Sequence, residues 1–363
     1  MGINEIIIYI MVLFMAIGAI DKCLGNKLGY GEKFEEGIMA MGALALAMVG
    51  VISLAPVLAK ILRPIISPAY TMLGADPAMF ATTLLANDMG GYPLAMELAL
   101  SPEAGKFAGL ILGAMMGPTL VFTIPVALGI IEKEDRPFLA KGILAGMITI
   151  PLGCLAGGLT AGFPLELVLS NILPIIIFSL LISLGLWKIP EKMTSGFTIF
   201  GKGVVIVITL GLAAGIIEFL TGFVVIPGMA PITDGIEIVG SIAVTLAGAF
   251  PLVYFLTKVL NKPLTKMGES LGMNEKAAAG MVATLANNIP MFGLMKEMDN
   301  KGKILNVAFA VSGAFVFGDH LGFTAGVDSQ MIFPMVVGKL VGGITAVLLA
   351  KFMFRNVEGG AKL

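Results

Sequence analysis

The sequence predicts an all-α protein that crosses a membrane many times, built as two related halves with helices broken inside the membrane. Three observations carry that fold class. Of the 363 residues, 57% are hydrophobic and only 13% are charged, where a soluble domain carries about 25% charged residues. The apolar residues fall in runs such as 6–20, 38–58 and 204–217, close to the roughly 20 residues a helix needs to cross the hydrocarbon core. A pattern of glycine, leucine and asparagine also recurs about 200 residues further along the chain.

Eleven hydrophobic segments can be marked in order: 5–21, 37–62, 78–98, 107–131, 138–162, 165–187, 203–222, 236–258, 277–296, 304–326 and 331–354. Counting the Asn-bearing ones as broken or re-entrant leaves 9–11 passes, separated by short loops with glycine, proline or charge, as at 132–137, 188–192 and 300–303. The first segment lacks the basic flank and small-residue cleavage pattern of a secretory leader, so it is expected to remain a helix. The polar stretches near 21–36 and 258–276 are too short for a soluble catalytic domain. Cys23 and Cys154 are the only cysteines, and each reads as a small packing residue rather than half of a disulfide.

The repeat is visible by direct comparison. At an offset of 198, Gly42, Gly50, Leu54, Leu58, Lys60 and Leu62 match Gly240, Gly248, Leu252, Leu256, Lys258 and Leu260. The same offset pairs Leu73-Gly74 with Leu271-Gly272. At 200, Leu85-Ala86-Asn87 meets Leu285-Ala286-Asn287, and Gly113-Ala114 meets Gly313-Ala314. These matches predict a first transmembrane repeat over 1–162, a linking helix and loop over 163–202, and a second repeat over 203–363.

Charge then orients the chain. If all eleven segments cross, loop Lys and Arg divide twelve to ten between the two sides. If the Asn-bearing segments 78–98 and 277–296 enter and leave on one side, the division becomes nineteen to three, with Lys339, inside the last segment, left out of both counts. Cytoplasmic loops are enriched in Lys and Arg, so the second topology is expected, with the N-terminus outside and the C-terminus cytoplasmic. It also inverts one half relative to the other, a common plan of secondary transporters. Eleven true crossings with parallel halves are the alternative.

Strongly polar side chains inside membrane segments are costly and mark sites. Four places stand out: Asn87-Asp88 before Gly90, Gly91 and Pro93; Asn287-Asn288 before Pro290; Asp319-His320 between Gly318 and Gly322; and Glu36 at the mouth of the second segment. Proline removes a backbone donor and disfavours helix at the residue before it. Broken backbone at membrane depth is tolerated only where protein or a cavity satisfies it, and two such breaks at matching positions point to a substrate site. A lone asparagine reads as interhelical glue; paired clusters beside breaks in both halves read as a site. Asp88 is the sharper of the two, because a buried carboxylate needs a cation or a proton. His320, the only histidine, suits either a structural hydrogen bond or a pH-sensitive relay. Tyr92 and Phe292 follow the breaks as apolar filler or as faces for a cation.

Enzyme signatures are missing. No second histidine is present for a zinc helix, no Gly-rich loop ends in Lys-Ser/Thr, and no serine sits in a G-x-S-x-G turn. No cofactor or metal is expected, and a net charge of −1 without a basic block gives nucleic acid nothing to bind.

Several long strings carry a resemblance: MGINEIIIYIM at the start, FEEGIMAMGALALAMVG at 34–50, MFATTLLANDMGGY at 79–92, GLILGAMMGPTLVFTIPVALGIIE at 109–132, AAAGMVATLANNIPMFGLMKEMD at 277–299 and FGDHLGFTAG at 317–326. On these the sequence resembles the bacterial ethanolamine utilisation transporter family (EutH) over essentially its whole length. The loops after Lys27 and Gly162 look shorter than in some members, and the C-terminal tail is brief. The resemblance implies a multi-pass permease of the bacterial inner membrane that admits ethanolamine, working by facilitated diffusion through alternating access. The alternative is an H⁺- or Na⁺-coupled carrier of a small amine or amino acid. A receptor or scaffold would not need buried Asn and Asp at matched breaks. For a protonated amino alcohol, Asp88 is expected to oppose the ammonium and Asn87, Asn287 and Asn288 to bond the hydroxyl. Asp319 and His320 would line the path or sense pH, and Glu36 would attract cations at the entrance. Beyond the lipid bilayer, a second copy in a homodimer is the expected partner, by analogy of fold.

Overall fold

The computed structural model describes residues 2–355, and among these every regular element is a helix. Helices α1 (Ile3–Cys23) and α2 (Tyr30–Met72) are joined by a turn in which Gly25, Asn26 and Gly29 take left-handed backbone. The turn is pinned by Asp21, whose buried carboxylate accepts the N–H groups of Leu28 and Gly31 at 2.9 Å each. A first broken segment follows: α3 (Ala78–Leu84), extended backbone at Leu85 and Ala86, a short turn at Asn87–Met89, and α4 (Gly91–Leu98). Next come α5 (Pro102–Ile130), α6 (Arg136–Thr160), α7 (Leu165–Lys188), α8 (Pro190–Thr221) and α9 (Ile232–Ser270). A second broken segment pairs α10 (Glu275–Thr284) with α11 (Ile289–Leu294), a third pairs α12 (Asn300–Gly313) with α13 (Asp319–Val327), and α14 (Ile332–Met353) ends the described chain.

Eight of these helices are long and apolar enough to cross a membrane: α1, α2, α5 to α9 and α14. The protein is an all-α, multi-pass membrane protein. Several segments run further than hydropathy alone suggests. The 43 residues of α2 span about 65 Å at 1.5 Å per residue, roughly twice a hydrocarbon core. The expected loop at 188–202 is helical from Pro190 onward, because nothing between Glu191 and Lys202 breaks a helix once proline has started it.

Segments 78–98 and 277–296 are interrupted where the Asn pairs predict it. Segment 304–326, expected as one continuous helix, is also broken, at Ala314–Gly318. Its partner at the 200-residue offset, α5, is likewise irregular, with π-type turns at Phe107–Ile111 and Thr119–Thr123 around a kink at Met115.

The most extensive packing joins α2 to α9 and α6 to α14, each helix lying against the one that the sequence offset pairs with it. A reciprocal contact accompanies this. Gly50 of α2 lies against the Ile208 carbonyl of α8, and Gly248 of α9 against the Met11 carbonyl of α1. In both places a β-carbon would strike backbone, so only glycine allows the approach.

Candidate functional site

The breaks are held open by one another. In the second half, Phe315 N–H donates to the Thr284 carbonyl (3.1 Å) and Phe317 N–H to the Leu285 carbonyl (2.9 Å), so two broken segments satisfy each other's backbone inside the membrane. Gly318 sits directly against the Ala286 carbonyl, and in the first half Gly117 sits against that of Leu85. Phe315 takes φ +63°, a left-handed backbone that is a genuine outlier for a bulky residue and clusters at functional sites.

Where the first and third breaks meet, a narrow cavity of about 40 Å³ opens between Ala86, Asp88, Met89, Pro118, Phe122, Phe315, Asp319 and His320. A single water needs about 10–15 Å³ by this measure, so the space suits a ligand of a few heavy atoms. The Phe122 and Phe315 rings meet edge to face at 5.6 Å, and Phe315 packs on His320 at 5.2 Å. Two carboxylates and one imidazole thus share one small space with aromatic walls.

Behind His320 lies Lys339 of α14. It is 1% exposed. Its ammonium donates to the Ala114 carbonyl, freed by the irregular turn of α5, and lies 2.9 Å from His320 Nδ1. Two carboxyl groups on the cavity wall and one buried amine behind it form an acid-rich centre that a monovalent cation or a proton can neutralise. Sequence reasoning did not place Lys339 in the site, although a lysine inside IFPMVVGKLVGG was signal enough.

The other predicted residues are distributed around this centre. Asn87 is fully buried beside Asp88, and both its amide atoms lack a hydrogen-bond partner. Tyr92, one turn along α4, stacks edge to face on Phe323 of α13 at 5.8 Å. The second Asn pair lies elsewhere. Asn288 Nδ2 donates to Thr123 Oγ1 at 3.0 Å, and Asn287 Oδ1 accepts the Ile289 N–H at 2.8 Å. Phe292 is buried in the core and does not line the cavity. Glu36 is half exposed and ion-paired with Lys33, one turn earlier, and it does not line the cavity. A larger recess, about 420 Å³ between α2, α3, α4 and α8, is lined by apolar side chains such as Val51, Leu58 and Val207 and holds none of the polar residues above.

The family model for the ethanolamine utilisation protein EutH matches residues 3–353. The chain belongs to the EutH family. Among relatives, the probable ethanolamine permease EutH of Listeria monocytogenes is 71% identical, the match covering 97% of this chain and 95% of that one. The Escherichia coli protein of the same description is 55% identical over 99% and 98% of the two chains. A Bacillus subtilis relative, the uncharacterized protein YxeR, is 53% identical over 97% and 95%. No solved structure matches this EutH-family chain.

Proposed function

We propose that this protein is a transporter rather than an enzyme, and that it carries protonated ethanolamine across the bacterial inner membrane. The observation that carries the proposal is the cavity at the meeting of two broken segments, with Asp88, Asp319 and His320 on its wall and a single buried ammonium behind it. Aliphatic amines are cationic at neutral pH, and one such cation can neutralise this acid-rich centre. The names of the Listeria and Escherichia relatives, probable ethanolamine permeases, supply the substrate. The aromatic rings of Phe122 and Phe315 give the ammonium a favourable wall.

Broken helices at matched positions also support alternating access between two inverted repeats, 1–162 and 203–363, joined through 163–202, with the N-terminus outside and the C-terminus cytoplasmic. In that scheme transport is facilitated diffusion, and the homodimer is its assembly. Lys339 beside His320 favours a specific second reading, in which a proton moves with the substrate. Uptake of labelled ethanolamine into proteoliposomes, with and without imposed H⁺ and Na⁺ gradients, separates the two. Uptake that follows the ethanolamine gradient alone supports facilitated diffusion, uptake driven by an H⁺ or Na⁺ gradient supports the coupled carrier, and no uptake contradicts both.

A further inference from the structure

The contact between Lys339 and His320 reaches beyond charge balance. An ammonium carries three donors and no acceptor. With one N–H on the Ala114 carbonyl, Lys339 Nζ also lies 2.9 Å from His320 Nδ1, and an ammonium donating there meets Nδ1 as a bare lone pair. In a neutral imidazole one nitrogen is donor and the other acceptor, so the ring proton must then sit on Nε2. The Phe315 ring packs against the imidazole, tilted 46° to it at 5.2 Å. His320 lines the cavity, and Nε2 is the ring nitrogen that Lys339 does not occupy. The wall therefore presents two kinds of group: carboxylate acceptors on Asp88 and Asp319, and one neutral N–H donor on His320.

We propose that Lys339 is a positioning residue that holds His320 as the Nε2–H tautomer, and that this donor selects amines bearing an adjacent hydroxyl oxygen over simple alkylamines. The inference rests on the transport reading above and deepens it: carboxylates recognise the ammonium end, and His320 Nε2–H donates to the hydroxyl oxygen at the other. An alkylamine fills the same charge but leaves the N–H unpaired. A buried donor without a partner is penalised, and sites built to bond a substrate hydroxyl reject analogues that lack it.

Because His320 is the only histidine in the chain, ¹⁵N-histidine labelling of the full-length protein in lipid yields one imidazole whose two nitrogen shifts report the tautomer directly. The expected spectrum has a protonated Nε2 and an unprotonated Nδ1. In Lys339→Met the Nδ1–H form should appear, and in Lys339→Arg, donor-only like lysine, the original pattern should return. A wild-type spectrum showing Nδ1–H or imidazolium overturns the proposal, and it does so even if the lysine variants fail to fold. The second arm measures competition against labelled ethanolamine in proteoliposomes, with unlabelled ethanolamine and ethylamine as competitors. A preference for ethanolamine of about tenfold, the worth of one hydrogen bond, is expected in the wild type, falling to about twofold in Lys339→Met. An undiminished preference in that variant overturns the selectivity role. Absence of any wild-type uptake would instead contradict the transport reading, while the spectrum would still decide the tautomer.

Discussion

The two Asn-bearing breaks share a sequence pattern, yet they differ in backbone, extended at Leu85 and Ala86 but right-handed at Leu285, and in chemistry. LLANDMGGY and TLANNIPMF both interrupt a helix at the same Leu-Ala-Asn, and each places its carbonyls against a segment that is itself irregular. The first carries Asp88 into a cavity with Asp319 and His320. At the corresponding position of the second, Asn288 closes on Thr123 in a neutral hydrogen bond. At the 200-residue offset Asp319 corresponds to Thr119, so each half contributes one acid to the cavity and carries a neutral residue where the other half has its acid. Repetition built two breaks, and side-chain divergence gave a carboxylate to only one of them. A carrier of a single small cation needs that inequality, since two charged breaks would bind two cations or trap one.

The comparison can be broken at its strongest point first. Asp88→Asn removes one acid but keeps the shape. Truncating one partner of a buried charge pair costs about 2–5 kcal/mol, so ethanolamine uptake at low concentration should fall at least about thirtyfold. Uptake within twofold of wild type would remove Asp88 from the site. Next come the scaffold glycines. Gly117→Ala and Gly318→Ala each push a methyl into a backbone carbonyl, of Leu85 and Ala286 respectively. Overpacking of this kind costs about 1–3 kcal/mol, and thermal unfolding in detergent should show similar losses for the two. Damage confined to one would mean that only that break relies on its glycine. Asn288→Ala is expected to matter less. It removes one hydrogen bond, and such bonds inside membranes average about 0.6 kcal/mol, so uptake should change by no more than about threefold. The smallest effect is expected from Glu36→Gln. A surface pair like Glu36 with Lys33 contributes about 0–1 kcal/mol, and uptake should stay close to wild type at moderate salt.

Much of this was legible in the chain, for identifiable reasons. Long apolar runs had to be helices because a bilayer offers no partner for free backbone groups. Asn next to glycine or proline announced the first two breaks. The third was not legible. GAFVFGDHL reads as apolar helix apart from Gly318, and its break is stabilised by carbonyls of Thr284 and Leu285, some 30 residues away in sequence. Which breaks face one another was equally hidden, so Asn287 and Asn288 were expected in one site with Asn87 and Asp88, whereas Asn288 bonds to Thr123 and does not line the cavity. Glu36, read as an entrance acid, is exposed at the mouth of its segment, where a lysine three residues before it offers a local partner. Lys339 was the reverse case, a single charge in an oily helix whose partners, Ala114 and His320, come from two other segments.

The account turns on where a small amine sits, and an experimental structure with ethanolamine bound measures that directly. The expected result is density in the cavity beneath Phe315, with the ammonium within hydrogen-bonding reach of Asp88 or Asp319 and the hydroxyl against His320. Density beside Asn288 and Thr123, or in the apolar recess between α2, α3, α4 and α8, would contradict it.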